Sequence, residues 1–216
     1  ACVRIQARSN AVEMNIHLYK HDLPDEIDLG KSVAIDTETM GLNLRRDRLC
    51  LVQISSGDGQ AHLVQIAAEI QPCPNLEALL ADKEVEKLFH FARFDLAMLK
   101  HHIGPVNGAI FCTKIASKLC RTYTDRHSLS ELCRELLGLE ISKQQQSSNW
   151  GAEELTQAQQ KYAAGDVLYL HRLRNKLGAM LTRLDRLAIA NACFAFLSTR
   201  TDLDIAGFET LDIFHH

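Results

Sequence analysis

The sequence lacks closely spaced cysteine pairs. Its seven cysteines form no Cys-x-x-Cys pattern, and their odd number leaves at least one without an intramolecular partner. Disulfide-stabilised secreted proteins usually carry an even set of cysteines, and structural zinc sites usually carry closely spaced pairs. The pattern therefore argues against both kinds of stabilisation, and we expect a protein of the reducing cytoplasm.

A long apolar run, a signal-like N-terminus and an excess of basic residues are also missing. A membrane-spanning helix needs about 20 apolar residues, and a secretory signal begins with a basic segment followed by an apolar one. The 24 Lys and Arg residues stand against 27 Asp and Glu residues, for a formal charge of -3. Proteins that coat nucleic acid are usually strongly basic. We therefore expect no membrane partner and no coating of nucleic acid by bulk electrostatics. The charge balance is compatible with a protein that binds the end of a nucleic acid chain.

What is present is the composition of one globular domain, with 216 residues of which 46% are hydrophobic and 24% charged. Residues 1–13 are polar and aperiodic, and we expect them to be an extension, native or added, outside a single domain of residues 14–216. The last apolar helical segment, which carries Phe194 and Leu197, is expected to close the core, with a dimer surface as the alternative.

Strand-like runs occupy the first half of the chain and helical spacing occupies the second. Val33–Ile35, Cys50–Ile54 and His62–Ile66 are predicted strands, and glycines between the last two indicate a tight turn. From Thr113 onwards apolar residues recur at helical spacing, with one helical stretch predicted over Leu155–Leu177. The sequence thus predicts an α/β fold with an N-terminal sheet and a helical C-terminal part.

Two carboxylates stand inside the first buried strand. Asp36 and Glu38 follow Val33–Ile35 at positions i and i+2, so both side chains lie on one face of the strand. Like charges side by side are costly without a counter-ion. The pair therefore indicates a cation site, while two solvated acids in a turn before Gly41 are the simpler alternative.

Three further residues could complete such a site. Asp95 stands at a predicted strand-to-helix junction, where an acid is also favoured as an ordinary helix-capping residue. Tyr162 and Asp166 lie four residues apart in a predicted helix, which places both on one face. Either feature alone also fits an ordinary helix.

Taken together, these residues resemble the DEDD superfamily of 3'-5' exonucleases, in its tyrosine-bearing subgroup, and more closely ribonuclease D. The strings that carry the resemblance are VAIDTETMGL around Asp36, KLFHFARFD ending at Asp95, and YAAGDV starting at Tyr162. The resemblance covers residues 14–177. The sister subgroup has a histidine where this chain has Lys161, which excludes that subgroup.

The resemblance implies a ribonuclease H-like fold, with a mixed sheet flanked by helices. It also implies two divalent cations held by Asp36, Glu38, Asp95 and Asp166, and an attacking water oriented by Tyr162. Hard oxygen ligands suit Mg²⁺ or Mn²⁺, and two such ions can activate water and stabilise the departing oxygen of a phosphodiester. A phenol with an ordinary pKa of about 10 is a poor base at neutral pH, so we expect the metal to supply most of the acidity.

The chain departs from the family in two places. Many members carry Asn or Ser where this chain has Phe91, so a polar contact near Asp95 is missing. Bacterial ribonuclease D proper continues into further helical domains, and we expect no additional helical nucleic-acid-binding domain here.

Substrate contacts are expected near the acidic residues and in a polar segment further along the chain. As in similar enzymes, residues after Glu38 are expected to pack against the terminal nucleotide, where a glycine allows close backbone approach. The segment Ser142–Gly151 reads as an exposed loop, in which Trp150 could stack on a base or serve as a core residue. The candidate contacts are Thr39, Gly41, Leu42, Phe94, Lys143, Gln144 and Trp150. Basic residues that could line the path of the strand are Arg45, Arg46, Arg48, Lys114, Lys118, Arg121 and Arg126.

The leading hypothesis is a metal-dependent 3'-5' exonuclease that releases nucleoside 5'-monophosphates from the 3' end of single-stranded RNA. A DNA exonuclease of the Werner or proofreading type is an alternative, because recognition of the 2'-hydroxyl depends on atomic geometry. A catalytically silent nucleic-acid-binding module is the alternative from another class, although all five key positions are intact. We expect no obligate protein partner.

Overall fold

The computed structural model describes residues 14–69, 71–142, 144–211 and 213–215. Residues 1–13, which we expect to be an extension, and Lys143 lie outside the described residues. The strands are β1 (Asn15–Lys20), β2 (Ser32–Thr39), β3 (Leu49–Ser55), β4 (Gln60–Gln65), β5 (Glu86–Phe89) and β6 (Ile110–Cys112). The helices are α1 (Pro74–Ala81), α2 (Ala92–His102), α3 (Thr113–Cys120), α4 (Leu129–Leu132), α5 (Gln157–Leu168), α6 (Leu170–Arg183) and α7 (Leu187–Leu203), with π-helical turns at Cys133–Leu137 and Asp204–Phe208.

The six strands form one mixed sheet in the order β1-β4-β3-β2-β5-β6. Strands β2, β3 and β4 are antiparallel to their neighbours in this set, whereas β1 pairs parallel with β4, and β5 pairs parallel with β2 and β6. The predicted glycine turn joins β3 to β4, with Gly57 and Gly59 both at positive φ. The α/β fold, the mixed sheet and the helical C-terminal part are confirmed.

Strand β2 lies inside the sheet, between β3 and β5. Val33, Ala34 and Ile35 are fully buried, as expected for a strand covered on both faces. The pairing with β3 shifts register between Glu38 and Thr39. This irregularity lies next to the predicted acidic pair and separates the regular strand from the segment that follows it.

Helix α5 covers one face of the sheet, where it packs on β2, β3 and β4. A capping box starts it: the Thr156 side chain accepts from the Gln159 backbone N–H, and the Gln159 side chain accepts from the Thr156 N–H. Ala163 and Ala164 are fully buried, because small side chains let the helix approach the sheet closely.

The prediction of one helical stretch over residues 155–177 is wrong in its continuity. Tyr169, with φ -105° and ψ -5°, separates α5 from α6. The break allows α5 to follow the sheet while α6 packs mainly on α3. Apolar spacing within each helix does not reveal this change of direction.

Helix α7 closes the core with one face. Ala190, Phe194 and Leu197 are buried, and the Phe194 ring lies 4.8 Å from that of Phe111 in β6. Ile189, on another face of the helix, is exposed. None of the described helices is long and apolar enough to cross a membrane.

The turn after α7 is tied to α2 by a buried carboxylate. Arg93 Nε donates to Asp204 Oδ2 at 2.6 Å, and Arg200 Nη2 donates to Asp204 Oδ1 at 2.6 Å. Burial alone would raise the pKa of Asp204, but the hydrogen bonds from both guanidinium groups hold it below its ordinary value. The C-terminal turn thereby contacts the residue two positions before Asp95.

We predict that Asp204→Asn lowers the free energy of unfolding by about 2 kcal/mol at pH 7, because charge-assisted hydrogen bonds are lost and two guanidinium groups lose their counter-ion. The folded-state pKa is depressed, so the stabilisation is present above the unfolded-state pKa of about 4 and disappears as the pH falls through the folded-state value. Urea denaturation between pH 7 and pH 3 measures this difference.

The matched control is Asp202→Asn, because Asp202 pairs with Lys100 while remaining exposed. We expect this variant to change the free energy of unfolding by less than about 0.5 kcal/mol. Equal destabilisation by the two substitutions would show that the burial of Asp204 does not matter.

Candidate functional site

Three carboxylates converge at the end of β2. Asp36 and Glu38 leave β2 on one face, as the period of two predicts, and Asp166 approaches them from α5. One carboxylate oxygen from each of the three residues lies within 4.8 Å of the others. The three side chains are partly buried. This group has the ligand type and the spacing of a cation site.

Asp95 approaches from the other side of the strand. It lies in the first turn of α2 and is buried, and its Oδ1 accepts a hydrogen bond of 2.6 Å from Thr37 Oγ1. Thr37 lies between Asp36 and Glu38, so its side chain leaves the opposite face of β2. One strand therefore presents two acids on one face and fixes a third acid from the other face.

The four carboxylates share one cavity of about 640 Å³, which Tyr162 also lines. Among the described residues that line it, Lys114 is the only Lys or Arg, and its ammonium lies over the Phe91 ring at 4.0 Å from the centroid. We call this space the carboxylate cavity.

Removal from water raises the pKa of every carboxyl group in this cluster, and repulsion by neighbouring carboxylates raises the pKa of Asp36, Glu38 and Asp166 further. Burial raises the pKa of Glu38 to about 9, and the charges of Asp166 and Asp95 add to the effect. Burial is also the largest cause of the raised pKa of Asp36, Asp95 and Asp166. Such a set is unfavourable as bare anions at neutral pH and fits divalent cations with hard oxygen ligands, such as Mg²⁺ or Mn²⁺.

Tyr162 lies one helical turn before Asp166, which places its phenol beside that carboxylate. Burial, followed by the negative charge of Asp166, raises the pKa of the phenol above its ordinary value. The phenol is therefore protonated at neutral pH and serves as a hydrogen-bonding group.

Most predicted substrate contacts lie around the carboxylate cavity. Thr39, Gly41, Leu42, Phe94 and Trp150 line it. Gln144 lines a neighbouring cavity of about 310 Å³, which also reaches Tyr162 and Asp166. The placement brings five of the seven candidates to the acids, and their contact with substrate stays a prediction.

The expectation of an exposed loop is wrong for Trp150. Only 2% of its surface is exposed, and it packs with Leu51, Leu63 and Tyr162. Its indole Nε1 is buried without a hydrogen-bond partner among the described residues. Trp150 comes from a polar segment, but its ring buries apolar side chains of β3 and β4. It therefore has almost no exposed surface on which a base could stack.

Arg121 also differs from its prediction. It is fully buried and donates to Glu135 and to the Arg126 carbonyl oxygen, so it does not line a path for a nucleic acid strand. Lys114 lines the carboxylate cavity, and Arg45 and Arg46 line an adjacent cavity. Charge alone does not distinguish these environments.

Sequence reasoning missed several residues beside the acids. Gln53, paired with Asp36 across β2 and β3, donates from Nε2 to Asp36 Oδ2 at 3.4 Å. His90 lines the cavity and contacts Thr113 Oγ1 through Nδ1 at 2.9 Å. Burial, followed by the charge of Lys114, lowers the pKa of His90 to about 3, so the ring is neutral. The signal for His90 was its position five residues before Asp95. The signal for Gln53 was its position in the neighbouring strand β3, whose register sets it opposite Asp36.

The family model of the 3'-5' exonuclease matches residues 5–182. DNA polymerase I of Aquifex aeolicus is 40% identical over 151 residues, which are 70% of this chain and 24% of that protein. Ribonuclease D of Gluconacetobacter diazotrophicus is 35% identical over 166 residues, which are 77% of this chain and 42% of that protein. The chain thus spans less than half the length of these two relatives.

Solved structures of NrnC from Brucella melitensis resemble the chain over most of its length. The structure with bound Mg²⁺ superimposes with a TM-score of 0.90 and 55% sequence identity, covering 94% of this chain and 100% of that one. The structure bound to pGG superimposes with a TM-score of 0.91 and 56% identity, covering 94% of this chain and 99% of that one.

We predict that Asp36→Asn raises the melting temperature in the presence of chelator, by about 2–4 °C for each kcal/mol of repulsion removed. The raised pKa values give the sign, because the ionised cluster opposes folding above the unfolded-state pKa of the carboxyl groups. Adding Mg²⁺ or Mn²⁺ should raise the melting temperature of the wild type and have a much smaller effect on Asp36→Asn. Differential scanning calorimetry with and without the metals measures both effects.

Glu154→Gln is the control, since Glu154 is exposed and lies outside the cavity. It should leave the melting temperature and its response to metals unchanged. A metal-dependent shift that persists in Asp36→Asn would place the cation elsewhere.

Proposed function

The chain belongs to the 3'-5' exonuclease family, and from this premise we propose that it hydrolyses the terminal phosphodiester bond at the 3' end of single-stranded RNA and releases nucleoside 5'-monophosphates. The observation that carries the proposal is the convergence of Asp36, Glu38, Asp95, Tyr162 and Asp166 on one cavity. Coincidental acids on a sheet surface would not gather from a strand and two separate helices.

The donor set supports two divalent cations. Asp36, Glu38 and Asp166 offer one compact group of oxygens, and Asp95 adds a fourth carboxylate from the opposite side. Two bound Mg²⁺ or Mn²⁺ ions would lower the pKa of an attacking water and neutralise charge on the leaving 3'-oxygen. The Brucella NrnC structure with bound Mg²⁺ supports the same chemistry in this chain.

The chain's own side chains would position the reactants. Thr37 holds the Asp95 carboxylate by its 2.6 Å hydrogen bond. Tyr162, whose phenol is protonated, would orient the attacking water, because a phenol with a raised pKa does not act as a base at neutral pH. Partial burial of the acids strengthens each of these electrostatic interactions.

RNA is the substrate that the relatives favour. Ribonuclease D of Gluconacetobacter diazotrophicus and the pGG-bound Brucella NrnC support a ribonucleotide 3' end. The similarity to DNA polymerase I of Aquifex aeolicus keeps a DNA strand as the second candidate. We propose that the chain acts in the reducing cytoplasm, which the free state of the described cysteines supports, and without an obligate protein partner.

We predict that the wild type shortens a 5'-labelled single-stranded RNA from its 3' end in Mg²⁺ or Mn²⁺ and not in chelator. Asp166→Ala should lower kcat/KM by about 10³-fold or more, because several kcal/mol of charge stabilisation depend on the cation site. Gel electrophoresis of the products, with a DNA strand of the same sequence in parallel, measures the activity and the preference for sugar. Glu154→Gln is the control variant.

A strand that is bound but never shortened by the wild type would contradict the proposal and favour a binding module. Faster shortening of the DNA strand than of the RNA strand would contradict the choice of substrate and leave the exonuclease standing.

We further predict that Tyr162→Phe lowers kcat by about 10²-fold with little change in KM, since the substitution removes one oriented hydrogen bond and keeps the ring. The concentration of Mg²⁺ needed for half-maximal activity should stay close to that of the wild type. Steady-state kinetics over a range of RNA and Mg²⁺ concentrations test this. A large increase in the Mg²⁺ requirement would show that the phenol supports the cation site instead of the water.

A further inference from the structure

The cavity that Arg45 and Arg46 line adjoins the carboxylate cavity on the side of Leu42 and Phe91. It has a volume of about 480 Å³, and we call it the arginine cavity because Arg45, Arg46 and Arg93 line it. The two cavities share three lining residues, Leu42, Phe91 and Phe94, all of them apolar. We call this shared wall the apolar divider. A strand that passes from one cavity to the other must cross it.

The two cavities differ in charge. Four carboxylates and one lysine line the carboxylate cavity, whereas three arginines and two acids, Asp204 and Glu209, line the arginine cavity. Arg46 pairs with Asp47 and Arg93 with Asp204, while no ion pair of Arg45 is seen among the residues described. The arginine cavity therefore suits the phosphates of a strand better than the carboxylate cavity does.

Phe91 is the unusual member of the divider. It precedes α2 with φ 69° and ψ 43°, the left-handed region that a bulky side chain rarely adopts. Its side chain provides no cap for the helix, so helix capping does not account for the residue. Asn or Gly would adopt this backbone conformation at lower cost.

The Phe91 ring is nevertheless held in a definite place. The Lys114 ammonium lies 4.0 Å from the ring centroid, in cation–π contact. Despite this contact 48% of the residue is exposed, between the two cavities. A strained backbone, a ring in contact with Lys114 and an open aromatic surface occur together at one position, beside the helix that carries Asp95.

We propose that Phe91 is a stacking platform for the nucleobase of the nucleotide immediately 5' of the scissile phosphate. In an enzyme that removes one 3'-terminal nucleotide, a single nucleotide lies on the 3' side of the scissile phosphate. The rest of the RNA lies on the 5' side and extends away from the acids. The strand crosses the apolar divider toward the arginine cavity, and its first base beyond the scissile phosphate meets the Phe91 ring. Base stacking on aromatic rings tolerates any sequence. This inference rests on the proposed 3'-5' exonuclease activity.

A cycle of one protein change and one substrate change tests the contact. The substrates are a 5'-labelled RNA and the same RNA with an abasic penultimate nucleotide, digested by the wild type and by Phe91→Ala. Either change alone should lower kcat/KM by about 5- to 100-fold, the range expected for loss of one stacked base. The two changes together should lower kcat/KM no further than either change alone, because each removes the same contact.

The proposal would be overturned if the two losses in kcat/KM multiplied in the double change. It would also be overturned if Phe91→Ala kept the kcat/KM of the wild type. Coupling to an abasic 3'-terminal nucleotide in place of the penultimate one would overturn it as well. Phe91→Trp should stay within about 3-fold of the wild type, because it keeps an aromatic face. Tyr123→Ala removes an exposed aromatic residue that contacts Arg121 outside both cavities and should leave kcat/KM unchanged.

A purely structural role of Phe91 is tested by comparing Phe91→Gly with Phe91→Ala. Both variants lose the ring, but only glycine relieves the strain at φ 69°, so Phe91→Gly should melt about 2–4 °C above Phe91→Ala. Stacking requires the two variants to be equally impaired on the intact RNA. If glycine restored kcat/KM along with stability, the residue would act only through the backbone that leads to Asp95.

Binding separates this inference from the proposed reaction. Fluorescence anisotropy of the labelled RNAs with Asp166→Asn, with and without Phe91→Ala, repeats the cycle in the absence of turnover. Coupling in binding together with no hydrolysis by the wild type would sustain the platform and refute the exonuclease. Hydrolysis by the wild type without coupling in either kinetics or binding would refute the platform and sustain the exonuclease.

Discussion

Four carboxylates that repel one another lie around one cavity, and much of the remaining structure serves to hold them there. Burial raises the pKa of all four, and neighbouring charges raise it further at Asp36, Glu38 and Asp166, so the metal-free cluster opposes folding at neutral pH. The sheet interior compensates, since β2 enters the site with Val33, Ala34 and Ile35 fully buried. Asp95 arrives on α2 and Asp166 on α5, each helix packed against that sheet. The cost of the cluster is met by apolar burial elsewhere in the molecule.

The site has regions of different charge, because the acidic cluster lies beside a cavity lined by arginines. The acids need cations before a polyanionic strand can approach them, whereas the adjoining cavity already presents three arginines. The apolar divider separates these environments with surfaces that suit bases better than phosphates. A formal charge of -3 adds no general attraction for nucleic acid, so any attraction for phosphates has to come from this local arrangement of side chains.

Much of the fold and of the acidic site follows from local periodicity. The period of two in β2 placed Asp36 and Glu38 on one face, and the helical spacing of Tyr162 and Asp166 brought the phenol to the carboxylate. Prediction failed where a residue's environment depends on distant segments. Trp150 stands among polar neighbours yet covers β3 and β4, and Arg121 is buried because Glu135 and the Arg126 carbonyl surround its guanidinium. Lys114 and Lys118 share one helix, but only Lys114 lines the cavity.

The sequence by itself determined the α/β class, the placement of the sheet before the C-terminal helices, and the identity of the acids, because these depend on periodicity and residue type within short windows. Only the tertiary structure decided that Thr37 would hold Asp95, that Gln53 would face Asp36, and that Phe91 would stand between two cavities of opposite charge. Those relations join residues from different elements, and their geometry comes from strand register, helix packing and a left-handed backbone conformation. Local pattern does not encode such geometry, because packing across the sheet sets it.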